Sequence, residues 1–294
     1  MERRPAGRGR PPLGEPRRVM NRTAPFFSVA AGCLAAAAAL GADGVALRYR
    51  FEPGETIRMD VTHRALTETT IGAARQSVET ATDSTKIWTI VAVDADGRAT
   101  IEHSVGDVTM TSRASDKGET RWSSRDPGPV PPDYEAVTQS LGVPLSRVEV
   151  DSTGRVLGRR DFKPTPPSST GDLMVVPLPD EPASVGTEWT VPQEVVVEVP
   201  NGPRKAVKTR LRYRVDALRD GVATIHVDTT VLTPLDDPRL EARLLERIWD
   251  GEIEFDVVRG RLLRRSTGVD RRVVGFSGPE SSVRYKASLE ERLK

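Results

Sequence analysis

One cysteine in 294 residues, Cys33, excludes an internal disulfide and any zinc site built on paired cysteines. Histidine, the commonest general base, occurs only three times, as His63, His103 and His226. Aromatic residues make up 5% of the chain, so a core has to be assembled from Val, Leu and Ile. Strong charge of either sign is missing too. The net charge is +1, and residues 1–42 account for seven arginines and two acidic residues, which leaves 36 cations against 40 anions beyond them. That balance supplies no general attraction for nucleic acid. The longest apolar run, Phe26 to Leu40, has fifteen residues, short of the ~20 that a spanning helix needs.

What surrounds that run is informative. It follows an arginine-rich start and ends with Ala39 and Gly41 at −3 and −1 to a cut before Ala42, which is the three-part layout of a secretory signal peptide. The sequence therefore predicts export to the periplasm or the outside, with 1–42 as leader and signal peptide, disordered or cleaved. Upstream of Met20 the leader reads as disordered, or as untranslated if Met20 is the start. Cys33, in "VAAGC", offers an alternative: Gly before Cys is the pattern of a bacterial lipoprotein signal, which would place a lipid anchor there. Ala30 stands where Leu is usual and the apolar run continues past the Cys, so ordinary cleavage is the preferred reading.

The rest of the chain repeats itself. "WTIVAVDADGRATI" from Trp88 and "YRVDALRDGVATI" from Tyr213 are each a β-branched run, an Asp-Gly turn and a second run, a strong hairpin signal because both turn residues tolerate positive φ. Neighbouring elements recur in the same order. Upstream, "PGETIRMDV" from Pro53 matches "VGTEWTVPQEV" from Val185. Downstream, "VEVDSTGRVL" around Gly154 matches "FDVVRGRLL" around Gly260. A short helix is expected before each of the last pair, in "DYEAVTQSLG", capped by Asp133, and in "DPRLEARLLERIWDG", capped by Asp237 with Pro238 in its first turn. The expectation is an internal duplication: a first β repeat at 43–162, a Pro/Ser/Thr-rich linker at 163–172 and a second β repeat at 173–294.

Alternation inside the strands sets the fold class. Leu47, Tyr49 and Phe51 alternate with Arg48 and Arg50; Ile57, Met59 and Val61 form a second apolar set, and Val207, Leu211, Tyr213 and Val215 a third. Period-two patterning means antiparallel sheet with one wet and one dry face. The protein is thus expected to be mainly β, made of antiparallel curved sheets with one short helix per repeat, packed either as a sandwich or around a shared interior.

Motifs that carry chemistry are scarce. "GFSGP" at Gly275 lacks the spacing of a nucleophile elbow. "DADG" from Asp94 starts like a calcium loop without its later Glu, and reads as a turn. His63 and His103 both fall on the apolar phase and could meet, but no spacing marks a third metal ligand. A hydrolase would need these two histidines to gather with acidic groups in an open cleft. No catalytic residue, metal site or cofactor is therefore assigned. One surface feature stands out: Lys208, Arg210, Arg212 and Arg214 share one face of one strand. Such a row could hold an anionic partner, or it could be a solvated face relieved by acidic cross-strand neighbours. Trp122 stands alone in the Pro-rich stretch 121–134, where it could cap a ligand opening or bury an ordinary loop.

The order "YRFEPGE" from Tyr49, a D-G hairpin, "VEVDSTGRV", "LP…VGTEW" from Leu178 and "FDVVRGRL" from Phe255 resembles a family of exported bacterial proteins of unknown function, common in planctomycete-type genomes. The resemblance covers most of 45–290 and implies a fold but no catalytic residues. More loosely, long strands and short helices behind a signal peptide are similar to periplasmic lipoprotein-carrier half-barrels, which hold acyl chains on a concave sheet. Together these lead to a non-catalytic envelope protein that binds a lipid or other amphiphile in an apolar concavity, with Leu47, Tyr49, Met59, Leu211, Tyr213 and Trp122 as candidate lining. The alternative is a structural or protein-interaction module of the envelope, working through polar sheet faces and the Lys208–Arg214 row. Neither reading involves nucleic acid, and the membrane enters only through the signal segment or a lipid at Cys33.

Overall fold

The computed structural model describes residues 44–163, 175–198 and 204–294. The signal segment, Cys33 and the linker from 164 onward lie outside the described residues. Ala42–Lys294 form one compact unit.

The alternating runs become strands β1 (Thr56–Ile71), β2 (Ala74–Val93), β3 (Ala99–Ala114), β4 (Gly118–Ser123), β5 (Ser146–Val150), β6 (Val156–Asp161), β7 (Glu188–Glu198), β8 (Arg204–Arg219), β9 (Val222–Val231), β10 (Asp250–Asp256), β11 (Arg261–Val274) and β12 (Ser281–Leu293). All pair antiparallel in one curved open sheet, ordered β6-β5-β3-β2-β1-β12-β11-β10-β9-β8-β7, with β4 paired to β3 off this path. The order β6-β5-β3-β2-β1 in one part of the chain is matched by β11-β10-β9-β8-β7 in the other. The final strand, β12, lies between the two, pairing with β1 from Met59↔Leu293 to Ile71↔Ser281 and with β11 on its other side. A single mainly β sheet, rather than a sandwich, is how the alternating pattern is realised.

The two Asp-Gly hairpins are alike in their strands and differ in their turns. In each, the Ile of "ATI" pairs with an inward residue (Ile90↔Ile101, Val215↔Ile225), and a bulge follows before the Thr pairs (Ala92↔Thr100, Ala217↔Thr224). Val215 is therefore the counterpart of Ile90. The second turn is a tight two-residue one, Asp220-Gly221, with φ of 51° and 77°. The first is longer: Asp94 accepts from the backbone N–H of Asp96 and Arg98, both at 2.9 Å, so its carboxylate organises a turn.

Among the described residues, helix is confined to two places. α1 (Glu135–Thr138) follows a 3-10 turn at Pro132–Tyr134, and α2 (Pro238–Leu244) continues into a 3-10 turn at Leu245–Arg247. Asp237 caps α2, its carboxylate accepting from Arg239 N–H at 2.9 Å, and Leu240 and Leu244 are buried. Asp133 makes no cap. It lies inside the 3-10 turn, and with three prolines at 129–132 the helix there is one turn long.

A wide sheet has to bury one face, and here the chain supplies the cover from its connections. Ile57, Trp88, Ile90, Ile101, Tyr213, Ile225 and Phe255 pack on one side with Leu47, Tyr49, Val175, Val176 and Leu178. "LRYRF" is thus not a strand. It is an extended segment with Leu47 and Tyr49 inward as its alternation predicts, held between two turns that occupy matching places in the strand order. Tyr49 N–H donates to Ser152 O at 2.7 Å in the β5–β6 turn, and Arg50 N–H to Gly260 O at 3.1 Å in the β10–β11 turn. Tyr49 Oη bonds Val176 at both its C=O (3.2 Å) and its N–H (3.0 Å). Gly260, at φ 64°, lies so close to this segment that a Cβ would stand 2.5 Å from Arg48 O.

Gly54 has a similar φ, 80°, with nothing within 4 Å of a Cβ. Gly54→Ala should then cost only the left-handed backbone penalty, about 1–2 kcal/mol, and Gly260→Ala at least twice as much, read by chemical denaturation. Equal losses would mean that the 47–51 segment is not seated against Gly260.

Candidate functional site

The second half of the sheet carries a roof. Beyond α2 the chain returns over the dry face, tied to β9 by Thr229 N–H to Trp249 O at 2.9 Å and braced within itself by Trp249 Nε1–H to Glu246 O at 2.9 Å. Between the roof and the sheet is a cavity of about 340 Å³. Its walls are Leu211 and Tyr213 of β8, Val227 of β9, Ile253 of β10, Leu289 of β12 and Trp249. Tyr213 is fixed from behind by Trp189, stacked at 5.3 Å and 10°, whose Nε1–H donates to Pro177 O at 2.9 Å. Gln193, Thr229, Thr267, Arg247 and Arg265 add polar groups to the lining, together with exposed Glu194 and Glu246. The volume is at the small end of the ~300–1,000 Å³ range of ligand pockets.

Arg265 belongs to a buried charge cluster. Glu291 of β12 is 3% exposed and Arg265 of β11 is 6% exposed. One carboxylate oxygen of Glu291 meets Arg265 Nη2 at 2.5 Å, and the other accepts from Lys86 Nζ of β2. Lys86 also lies over the Trp88 ring, 5.1 Å from its centroid. Burial alone would raise the Glu291 carboxyl, but Arg265 and Lys86 outweigh it and bring it down to about 2. Lys86 is pushed down by burial, partly offset by Glu291. His103, beside this cluster, is lowered to about 4 by burial and then by Lys86 and Arg159, so it is neutral near pH 7.

Sequence reasoning missed all three charges, though two were legible. Lys86 stands two before Trp88 and Glu291 between Leu289 and Leu293, each on the apolar phase of its strand. Arg265 was not legible. A bulge between Glu254 and Phe255 skips Leu263 in the β10–β11 register, so Leu262 and Arg265 both face inward although three residues apart.

Of the six candidate lining residues, the cavity takes two, Leu211 and Tyr213. Leu47, Tyr49 and Met59 are in the packed core on the same side of the sheet. Trp122 is apart from both, stacked on Tyr134 at 5.8 Å in a cluster with Val108, where it buries the 124–145 loop. The four basic residues do share one exposed face of β8. Arg212 pairs with Asp228 at 2.9 Å and Arg214 with Asp216 at 2.6 Å, while Lys208 and Arg214 are in register with Glu194 and Glu188 on β7. The row is laced with acids and is not a bare cationic stripe. His63 and His103 do not meet. Their cross-strand partners on β2, Thr82 and Trp88, are six residues apart, roughly 20 Å along a strand. His63 instead faces Trp249, at 6.4 Å.

No family model matches the chain, and no curated protein matches it. Among solved structures, lipovitellin, in a structure concerned with its lipid–protein interactions, is similar at TM-score 0.48 and 13% identity, over 83% of this chain and 25% of that one. The chain spans about a quarter of lipovitellin's length. The translocator domain of autotransporter NalP from Neisseria meningitidis follows at TM-score 0.22 and 10% identity, over 82% of this chain and 89% of that one. A DUF1329 family protein from Desulfovibrio piger has TM-score 0.14 and 11% identity, over 78% and 84%. These are likenesses between β-rich chains and identify neither a family nor a ligand. The resemblance to planctomycete-type exported proteins rests on the quoted motifs alone.

Glu291→Gln leaves two buried cations without their anion and should cost about 3–5 kcal/mol, the usual result of breaking a buried pair from one side. The native carboxyl titrates near 2 and an unfolded one near 4.5. The native state therefore binds fewer protons, and this stability is present above pH 4.5 and lost as pH falls toward 2. His103 acts in the adjoining window, its contribution being lost as pH falls from 6.5 to about 4. Denaturation at a series of pH values should give a steeper loss below pH 4.5 in the wild type than in Glu291→Gln; parallel curves would contradict the assignment.

Proposed function

We propose that this is an exported, non-catalytic envelope protein that takes up an amphiphile in the cavity beneath the 246–249 segment that follows α2. The observation that carries the reading is the cavity itself: apolar walls from four strands, a roof held by its own hydrogen bonds, and polar groups among the lining. About 340 Å³ is the room of roughly eleven waters at ~30 Å³ each, which suits one alkyl chain better than a two-chain lipid. Export rests on the signal-like start of the chain. Among the described residues no helix is long and apolar enough to cross a membrane. The outer sheet face, with ion pairs such as Arg64–Asp83, Arg147–Glu102 and Arg284–Asp270, is a surface made for water.

The purified chain, run by native mass spectrometry beside a denatured sample and after incubation with single-chain amphiphiles, should gain the mass of one ligand. Leu211→Trp, which pushes an indole into the cavity, should weaken uptake at least tenfold with unfolding little changed. A bare mass under all conditions, or undiminished uptake by Leu211→Trp, would overturn the reading.

A further inference from the structure

The wet face of the sheet carries a second pocket, of about 650 Å³, at the end where β1, β2, β11 and β12 run out. Arg75 of β2, Arg272 of β11 and Arg284 of β12 stand in its lining with one carboxylate, Glu68 of β1. Arg272 and Arg284 are directly opposite each other, a like-charge pair that is destabilising unless relieved. Arg284 is relieved. Asp270 accepts from its Nε and Nη2, each at 2.8 Å, and Glu68 from its Nη1 at 3.3 Å. Arg272 instead donates through Nη2 to Ser282 Oγ at 2.9 Å, a partner that brings no charge. Neither Arg272 nor Arg75 has a carboxylate partner among the described residues, unlike Arg64, Arg147 and Arg212 on the same face.

The strand register brings these two arginines to one place. Ser282, which holds the Arg272 guanidinium, is in register with Thr70, and Thr70 is in register with Arg75 on its other side. The neighbouring strands are ~4.8 Å apart, so Thr70 has a cationic side chain to either side of it. Hydroxyls complete the surroundings. Ser115 Oγ accepts from Ser77 N–H at 3.1 Å, which leaves its own O–H to donate, and Thr70 and Ser77 line the pocket with it. The acids that flank the lining are engaged, Asp270 by Arg284 and Asp116 by Gln76 Nε2 at 3.4 Å.

Two guanidinium forks facing each other across a hydroxyl suit a tetrahedral oxyanion, which has terminal oxygens for both, better than a planar carboxylate, which fills one fork. A phosphate monoester also brings a charge of about −1.5 to −2 at pH 7, matching two arginines. We propose that this pocket, separate from the cavity and independent of its reading, is an oxyanion site that takes a phosphate monoester between Arg75 and Arg272. Phosphate free in solution and phosphate on a lipid share that chemistry. Beside the pocket Val274 is 67% exposed and Ile71 48% exposed, opposite Ser282 and Ser281, and these aliphatic groups have a use only if the phosphate is carried on a lipid.

The test titrates the full chain with inorganic phosphate, followed by phosphorus-31 line broadening, at an ionic strength held constant with chloride. The variants are Arg75→Gln/Arg272→Gln and, as a control that removes the same charge elsewhere on the wet face, Lys208→Gln/Arg210→Gln. Losing both guanidiniums should weaken phosphate binding about tenfold, the loss expected for a hydrogen bond to a charged group, and the control should stay within about twofold because its charges are screened at that distance. Co-sedimentation with phosphatidylcholine vesicles, with and without phosphatidic acid, separates the sources. A gain from phosphatidic acid that the Arg75/Arg272 variant loses and the control keeps assigns the site to a lipid phosphate, and a variant effect on inorganic phosphate alone assigns it to a soluble ligand. No preference of the wild type for phosphate over chloride in either assay would overturn the proposal without recourse to a variant. Equal losses in the two variants would overturn it too, by reducing the effect to general charge.

Discussion

The Glu291 carboxylate is where this sheet is joined. β12 lies between the two parts of the chain that share a strand order, and Glu291 on it reaches Lys86 on one side and Arg265 on the other. A carboxylate that is 3% exposed is stable only because both cations come to it. That requirement fixes the register of β12 against β1 and β11. With the register fixed, Leu289 and Thr267 reach the cavity, and Arg265 comes to its floor. A one-residue slip would turn the glutamate to solvent and the neighbouring apolar residues with it.

The second constraint is the width of the sheet. An open sheet of this size exposes a whole face unless other parts of the chain cover it. Here the covering is uneven. The segments at 44–51 and 175–183 fill one region, seated against the β5–β6 and β10–β11 turns, while α2 and its 3-10 extension roof another. Space is left where these two covers fail to meet. The cavity is a consequence of how the face is closed, and its polar floor follows from the ion cluster on that face.

Much of this architecture was legible in the residues, because period-two alternation and Asp-Gly turns are local properties. So was the α2 start, where Asp237 and Pro238 do what their chemistry predicts. The candidate lining was legible only as far as facing direction: Leu47, Tyr49 and Met59 point inward as expected, but whether an inward residue meets a neighbour or a void depends on long-range packing. "LRYRF" shows the same limit, since its alternation gives its faces and says nothing about the strand partners it lacks. The basic row lies on one face as read, and the acids that temper it come from β9, from β7 across the pairing and from its own strand. Arg265 was hidden by a bulge, which inverts the alternation without leaving a mark in the sequence.

The central claim is that an alkyl chain occupies the space under Trp249. Of the four tryptophans, Trp249 lines that cavity and Trp122 lies in a separate cluster, so a fatty acid brominated along its chain reports position directly by fluorescence quenching. The account predicts saturable quenching that is largely abolished in Trp249→Phe and unaffected in Trp122→Phe. Quenching that survives loss of Trp249, or none at any concentration below micelle formation, would contradict it.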